Sequence, residues 1–151
     1  MVSQETFKKV IIEYQQFLAT VELQERAYTF EPKGKYVMVG VRHAGKSYLL
    51  YQRARQLLAA GHAVEELCYI NFDDERLAGM KADELDGILT AYRSLFEGTP
   101  ILFFDEIQNV PGWERFARRL ANEKYLVFIT GSNAKMLSRE ISTTLGERYL
   151  A

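Results

Sequence analysis

What the chain lacks narrows its class first. Among 151 residues there is one cysteine, Cys68, so no internal disulfide forms and disulfide-stapled scaffolds are excluded. Cys68 falls in the apolar run Leu67-Cys68-Tyr69-Ile70 and reads as a buried structural thiol rather than a reactive one. An excess of charge of one sign is also missing. Nineteen Lys and Arg against twenty Asp and Glu give a formal charge of −1, which rules out a global basic field for nucleic acid. No apolar run approaches the roughly 18 residues of a membrane span, and no charged-then-apolar leader opens the chain. The expected setting is the reducing cytoplasm, without a membrane partner. Repeats and low-complexity linkers are absent as well, and 48% apolar residues suffice for one substantial core.

The feature that is present and most specific is Gly40-Val41-Arg42-His43-Ala44-Gly45-Lys46-Ser47. It fills the phosphate-loop pattern G-x-x-x-x-G-K-[ST] at every fixed position. Glycines let the backbone curl so that its N–H groups face a phosphate. Lys46 sets a cation against the β- and γ-phosphates, and Ser47 offers a hydroxyl to Mg²⁺. The context agrees. Lys35-Tyr36-Val37-Met38-Val39 reads as a short buried strand entering the loop. After Ser47, Leu49, Leu50, Arg53, Ala54, Leu57 and Leu58 recur at helical spacing until Gly61. Strand, loop and helix aim a helix N-terminus at the bound anion. The expected nucleotide contacts are Gly40, Val41, Arg42, His43, Ala44, Gly45, Lys46, Ser47 and Tyr48.

Before the loop, the spacing of Phe7, Val10, Ile11, Tyr14, Phe17, Leu18 and Val21 predicts an amphipathic helix over 3–26, capped by Ser3. Its other side carries Glu5, Lys8, Lys9, Glu13, Gln15 and Gln16. The apolar stripe is expected to pack on the sheet, with a partner or oligomer contact as the alternative. Downstream, strands over 67–72, 101–104 and 126–130 alternate with helices over 83–97 and from Pro111 through Leu120, where Trp113, Phe116, Ala117 and Leu120 make the buried face. This alternation predicts an α/β fold with a parallel sheet and helices on both faces.

Ile101-Leu102-Phe103-Phe104-Asp105-Glu106 is a buried strand ending in two acids, at the edge where open α/β sheets bind ligands. Beside a phosphate loop, an acid in the place of Asp105 holds Mg²⁺, and Glu106 is placed to polarise an attacking water. The next strand ends Phe128-Ile129-Thr130-Gly131-Ser132-Asn133, where a polar residue can sense the γ-phosphate. Asn133 is the first candidate and Ser132 the second. Asp73 and Asp74 follow the second strand and are reserve candidates, while Arg139 and Arg148 are candidates to stabilise phosphate charge.

In this order the motifs resemble the AAA+ division of phosphate-loop ATPases, and within it the prokaryotic AAA domain 14 family. The resemblance is carried by Val39 through Ser47, by Tyr69-Ile70-Asn71-Phe72-Asp73-Asp74-Glu75-Arg76-Leu77, by Asp105-Glu106-Ile107-Gln108-Asn109-Val110-Pro111-Gly112-Trp113-Glu114, and by Thr130-Gly131-Ser132-Asn133. It implies a three-layer ATP-binding domain with sheet order 5-1-4-3-2, which for this chain becomes 1-4-3-2 with the fifth strand missing. The last residues, Glu147-Arg148-Tyr149-Leu150-Ala151, have only the look of a strand's beginning. The family usually continues into a further C-terminal domain, so the chain is expected to be a truncated ATPase domain over 35–151, preceded by a helix and linker over 1–34. Its first strand would then be an exposed edge.

The implied cofactors are ATP and Mg²⁺, and the implied activity is ATP hydrolysis driving a conformational change. A guanine-specific Asn-Lys-x-Asp is absent, and the Asp-Glu pair suits water activation better than phosphorylation of an acceptor. The alternative is a nucleotide-gated interaction module with negligible turnover. A macromolecular partner of unspecified kind and a homo-oligomer remain open.

Overall fold

The computed structural model describes residues 1–21, 36–39, 44–131 and 148–150, and of 36–39, 44–46 and 148–150 the main chain alone. Three short apolar runs form parallel strands: β2 (Leu67–Asn71), β3 (Ile101–Asp105) and β4 (Val127–Gly131). Every residue of β3 and β4 is buried, as expected where helices cover both faces of a sheet. Alternation divides the strands' side chains between two cores. Cys68, Ile70, Leu102, Phe104, Val127 and Ile129 meet the helices α3 (Asp86–Leu95) and α4 (Trp113–Asn122). Leu67, Tyr69, Ile101, Phe103 and Phe128 instead meet α2 (Ala44–Ala59).

Strand β1 (Tyr36–Val39) runs parallel to β4, with Tyr36 opposite Phe128 and Val39 opposite Gly131. On its other side lies β5 (Arg148–Leu150), also parallel, and the sheet runs β2-β3-β4-β1-β5. The expected missing fifth strand is therefore present, and β1 is not an edge. Three residues suffice because each ladder position supplies hydrogen bonds that the edge of β1 would otherwise leave to water.

The opposite edge is protected differently. Helix α1 (Gln4–Thr20) lies against β2 and α3, with Phe7, Val10, Ile11, Gln15 and Leu18 buried. Its start behaves as read, since the Ser3 side chain accepts from the Thr6 N–H at 3.1 Å. Two details differ. Gln15, assigned to the polar side, is buried, and Phe17, assigned to the stripe, is 40% exposed. The cause is the edge of β2. Gln15 Nε2 donates to the Leu67 carbonyl at 2.8 Å, so a polar side chain satisfies backbone that an apolar one would strand.

The helix also ends sooner than the expected residue 26. Val21 is already extended at φ −66°, ψ 134°, and the Thr20 hydroxyl donates to the Gln16 and Phe17 carbonyls. Similarly, Pro111 stands outside α4 rather than opening it. Gly112, in the left-handed region at φ 84°, turns the chain into a helix that begins at Trp113.

An ion cluster ties α1 to the segment after β2. Arg76 bonds Glu13 at 3.0 Å and Asp74 at 2.8 Å. Its hydrogen bonds hold both carboxyls below their ordinary values of 4.5 and 3.8. A carboxyl depressed in the folded state adds stability above its unfolded pKa and loses it as pH falls through the folded value. Urea midpoints measured from pH 6 downward should therefore fall less steeply below about pH 4.5 for Arg76→Met than for the parent. Separately, Gln15→Met keeps the length of the side chain but not the donor. It should cost about 1–3 kcal/mol in urea unfolding, the penalty for an unmet buried acceptor.

Candidate active site

Helix α2 begins at Ala44, inside the phosphate-loop octapeptide, so Gly45, Lys46 and Ser47 form its first turn. The first N–H groups of a helix have no intrahelical partner and present a positive end. Gly40, Val41, Arg42, His43, Ser132, Asn133 and Arg139 lie outside the described residues. Of the loop's side chains, Ser47 is the first described.

Asp105 closes β3 at the same end of the sheet, and its carboxylate is only 1% exposed. Three hydroxyls converge on it. Ser47 Oγ, from a position 58 residues away in sequence, donates to Oδ2 at 2.6 Å. The Tyr69 phenol, from β2, donates to the same oxygen at 2.6 Å. Thr130 Oγ1, from β4, donates to Oδ1 at 2.5 Å. A buried carboxylate demands such donors, because unpaired it costs several kcal/mol (roughly) to keep charged. All three are neutral, so the carboxylate's negative charge is left to attract a cation.

Glu106 follows with an unusual backbone. Its φ of 57° and ψ of 46° lie in the left-handed region, which costs a non-glycine residue roughly 1–2 kcal/mol. The Glu106 N–H donates to Thr130 Oγ1 at 2.9 Å, and its Oε2 accepts from Gln108 Nε2 at 3.2 Å. Thr130 thus joins both acids: it accepts from the backbone of one and donates to the side chain of the other. Asn109 Nδ2 ties the turn after Glu106 to the Phe72 carbonyl at 3.2 Å.

The reserve acids are otherwise engaged. Asp74 caps a turn at the Arg76 N–H and pairs with that guanidinium, and Asp73 accepts from Asn109 at 3.4 Å. Burial pushes the Cys68 thiol up to about 12, which makes it inert at neutral pH. Arg119 bridges to Asp86 on α3 at 2.5 Å. Among the described residues no helix is long and apolar enough to cross a membrane.

A family model described as an AAA domain matches residues 33–151, which takes in β1 and the phosphate loop through β5. The chain belongs to the AAA domain family. An uncharacterized protein of Methanocaldococcus jannaschii is 45% identical over 114 residues, 76% of this chain and 24% of that protein. Another, from Haemophilus influenzae, is 34% identical over 116 residues, 76% of this chain and 29% of that protein. The chain thus matches less than a third of the length of either relative.

Two residues of this candidate site are not among those the sequence points to. Thr130 was passed over for the more polar Ser132 and Asn133, although it is the last side chain before the glycine that ends β4. Tyr69 read as one more apolar strand residue. The signal available was chemical: a tyrosine in a strand buried on both faces must find a partner for its hydroxyl. The family-like Pro111-Gly112-Trp113 stretch, by contrast, proves architectural, with Trp113 buried in the α4 core.

Thr130→Val keeps the shape but removes both bonds of the hydroxyl. It should destabilise the fold by about 1.5–3 kcal/mol in urea unfolding, as expected for a hydrogen bond to a charged group. An unchanged midpoint would show that Thr130 does not hold the two acids.

Proposed function

We propose that the chain is an ATP-binding and ATP-hydrolysing domain that uses Mg²⁺, with residues 35–151 as the nucleotide-binding unit and 1–34 as its N-terminal helix and linker. The observation that carries this reading is the bond from Ser47 Oγ to Asp105 Oδ2. It joins the phosphate-loop helix to the acidic strand end, the two places from which a metal–nucleotide complex is held. The donor chemistry fits Mg²⁺, a hard cation that takes oxygen ligands and uses one or two carboxylates beside the phosphates of its substrate. Ser47 and Asp105 would hold it, and when bound it would neutralise charge on the phosphates.

The chain's own residues carry the remainder. The N-terminal turn of α2 offers N–H groups and its dipole to phosphate, and Lys46 adds a cation to the β- and γ-oxygens. Glu106 acts as the general base, drawing the proton from the attacking water onto its carboxylate. Thr130 fixes the backbone from which Glu106 projects. Asn133 is assigned the sensing role, and Arg139, Arg148 or an arginine of another copy supplies the charge that completes the site. Hydrolysis is coupled to movement in a macromolecular partner or in a further part of the protein, in a cytoplasmic setting.

Two measurements test the reading. Lys46→Ala removes charge-assisted hydrogen bonds worth about 1.5–3 kcal/mol, so calorimetric titration should show Mg·ATP affinity reduced more than about tenfold. Equal affinity for both proteins would sink the assignment. In an active form of the protein, Glu106→Gln should leave ATP affinity within about threefold of the parent while slowing hydrolysis by roughly 10²–10⁴. Parental turnover by that variant would remove Glu106 as the base.

A further inference from the structure

We propose that Tyr69 is a positioning residue for the metal-holding carboxylate. Its phenol and the Thr130 hydroxyl clamp Asp105 from the two flanking strands, fixing the orientation in which Asp105 meets a nucleotide-bound divalent cation. The inference rests on the nucleotide-site reading above and assigns it a residue that the motifs do not contain.

The geometry of β3 explains why the clamp is needed. Its neighbours are β2 on one side and β4 on the other, and each sends one hydroxyl to the carboxylate. Thr130 takes Oδ1 and Tyr69 takes Oδ2. Ser47 shares Oδ2 with Tyr69, but Ser47 is also the hydroxyl offered to the metal. Without the Tyr69 phenol, Oδ2 would be held by the group whose own position changes when a cation arrives. A carboxylate has about four lone-pair sites, so three hydroxyls still leave a direction open to the cation or to its water.

Tyr69 is built to stay in place. It is wholly buried and stacks on Tyr14 of α1 at 4.7 Å and on Phe103 at 6.0 Å. The ring of Tyr51 of α2 lies 5.4 Å away, tilted against that of Tyr69. Each neighbour fixes a ring whose single polar atom reaches Asp105. Partners of this kind around a metal-ligating carboxylate are worth about 10–100-fold in metal affinity.

The test is a Mn²⁺ titration of the full chain with saturating ADP, followed by electron paramagnetic resonance of the bound metal. ADP affinity in EDTA and the melting temperature are measured alongside. Tyr69→Phe should raise the half-saturating Mn²⁺ concentration by about tenfold, with metal-free ADP affinity within about twofold of the parent. Tyr69→Leu also lacks the hydroxyl and carries the same expectation should the phenylalanine variant fail to fold. Leu102→Ala empties a buried site in the core on the other face of β3 and leaves both the ring stack and the hydroxyl alone. It should lower the melting temperature and leave Mn²⁺ dependence at the parental value. Parental Mn²⁺ dependence in the folded Tyr69 variants, with normal binding by the parent, overturns this inference alone. A parent that binds no metal–nucleotide complex overturns it together with the nucleotide-site reading.

Discussion

A carboxylate buried at the end of β3 is the constraint around which this domain is arranged. Asp105 is almost wholly removed from water, and a charge so placed survives only where donors converge on it. The three that do so come from β2, β4 and the first turn of α2. Strand order is therefore a chemical matter as well as a packing one. With β2 and β4 flanking β3, Tyr69 and Thr130 reach opposite oxygens of one side chain, while Ser47 reaches it from the first turn of α2. Thr130 extends the same arrangement to Glu106, whose left-handed backbone is held by a hydroxyl already bonded to Asp105. Local strain at the second acid is thus offset by a network built for the first.

The aromatic residues support this point from below. Tyr14, Tyr69, Phe103 and Phe128 form a row of stacked rings across one face of the sheet, each within 4.7 to 6.0 Å of the next. The row begins on α1 and ends on β4. A helix that first looks like a separable N-terminal addition is in this way packed against the ring that bonds Asp105. It also completes the β2 edge through Gln15 and is clasped to the next segment by Arg76. The sheet's two edges are managed by different means, one by a side-chain amide from a helix and one by the short strand β5.

Much of this was legible in the residues themselves. Strands buried on both faces declare themselves as short apolar runs, which is why β2, β3 and β4 fall within a residue or so of their expected limits. What escaped detection depends on non-local contacts. Gln15 looks like a solvent-facing residue until the open carbonyl of Leu67 is set beside it. The strand at 148–150 shows no length of its own and exists through its pairing with β1. Tyr69 is apolar by pattern and polar by one atom, and only the approach of β3 shows what that atom is for. At the phosphate loop the motif names side chains directly, and the described Ser47 stands beside Asp105.

The central claim is that the first turn of α2 and the Asp105 node together hold a metal-bound nucleotide. Hydrogen–deuterium exchange of the parent chain, with and without saturating Mg·ATP, tests it most directly. The account predicts slowed exchange at the amides of residues 44–48 and at Glu106, with the effect reduced when EDTA removes the metal. Unchanged exchange at these amides in the presence of Mg·ATP would contradict it.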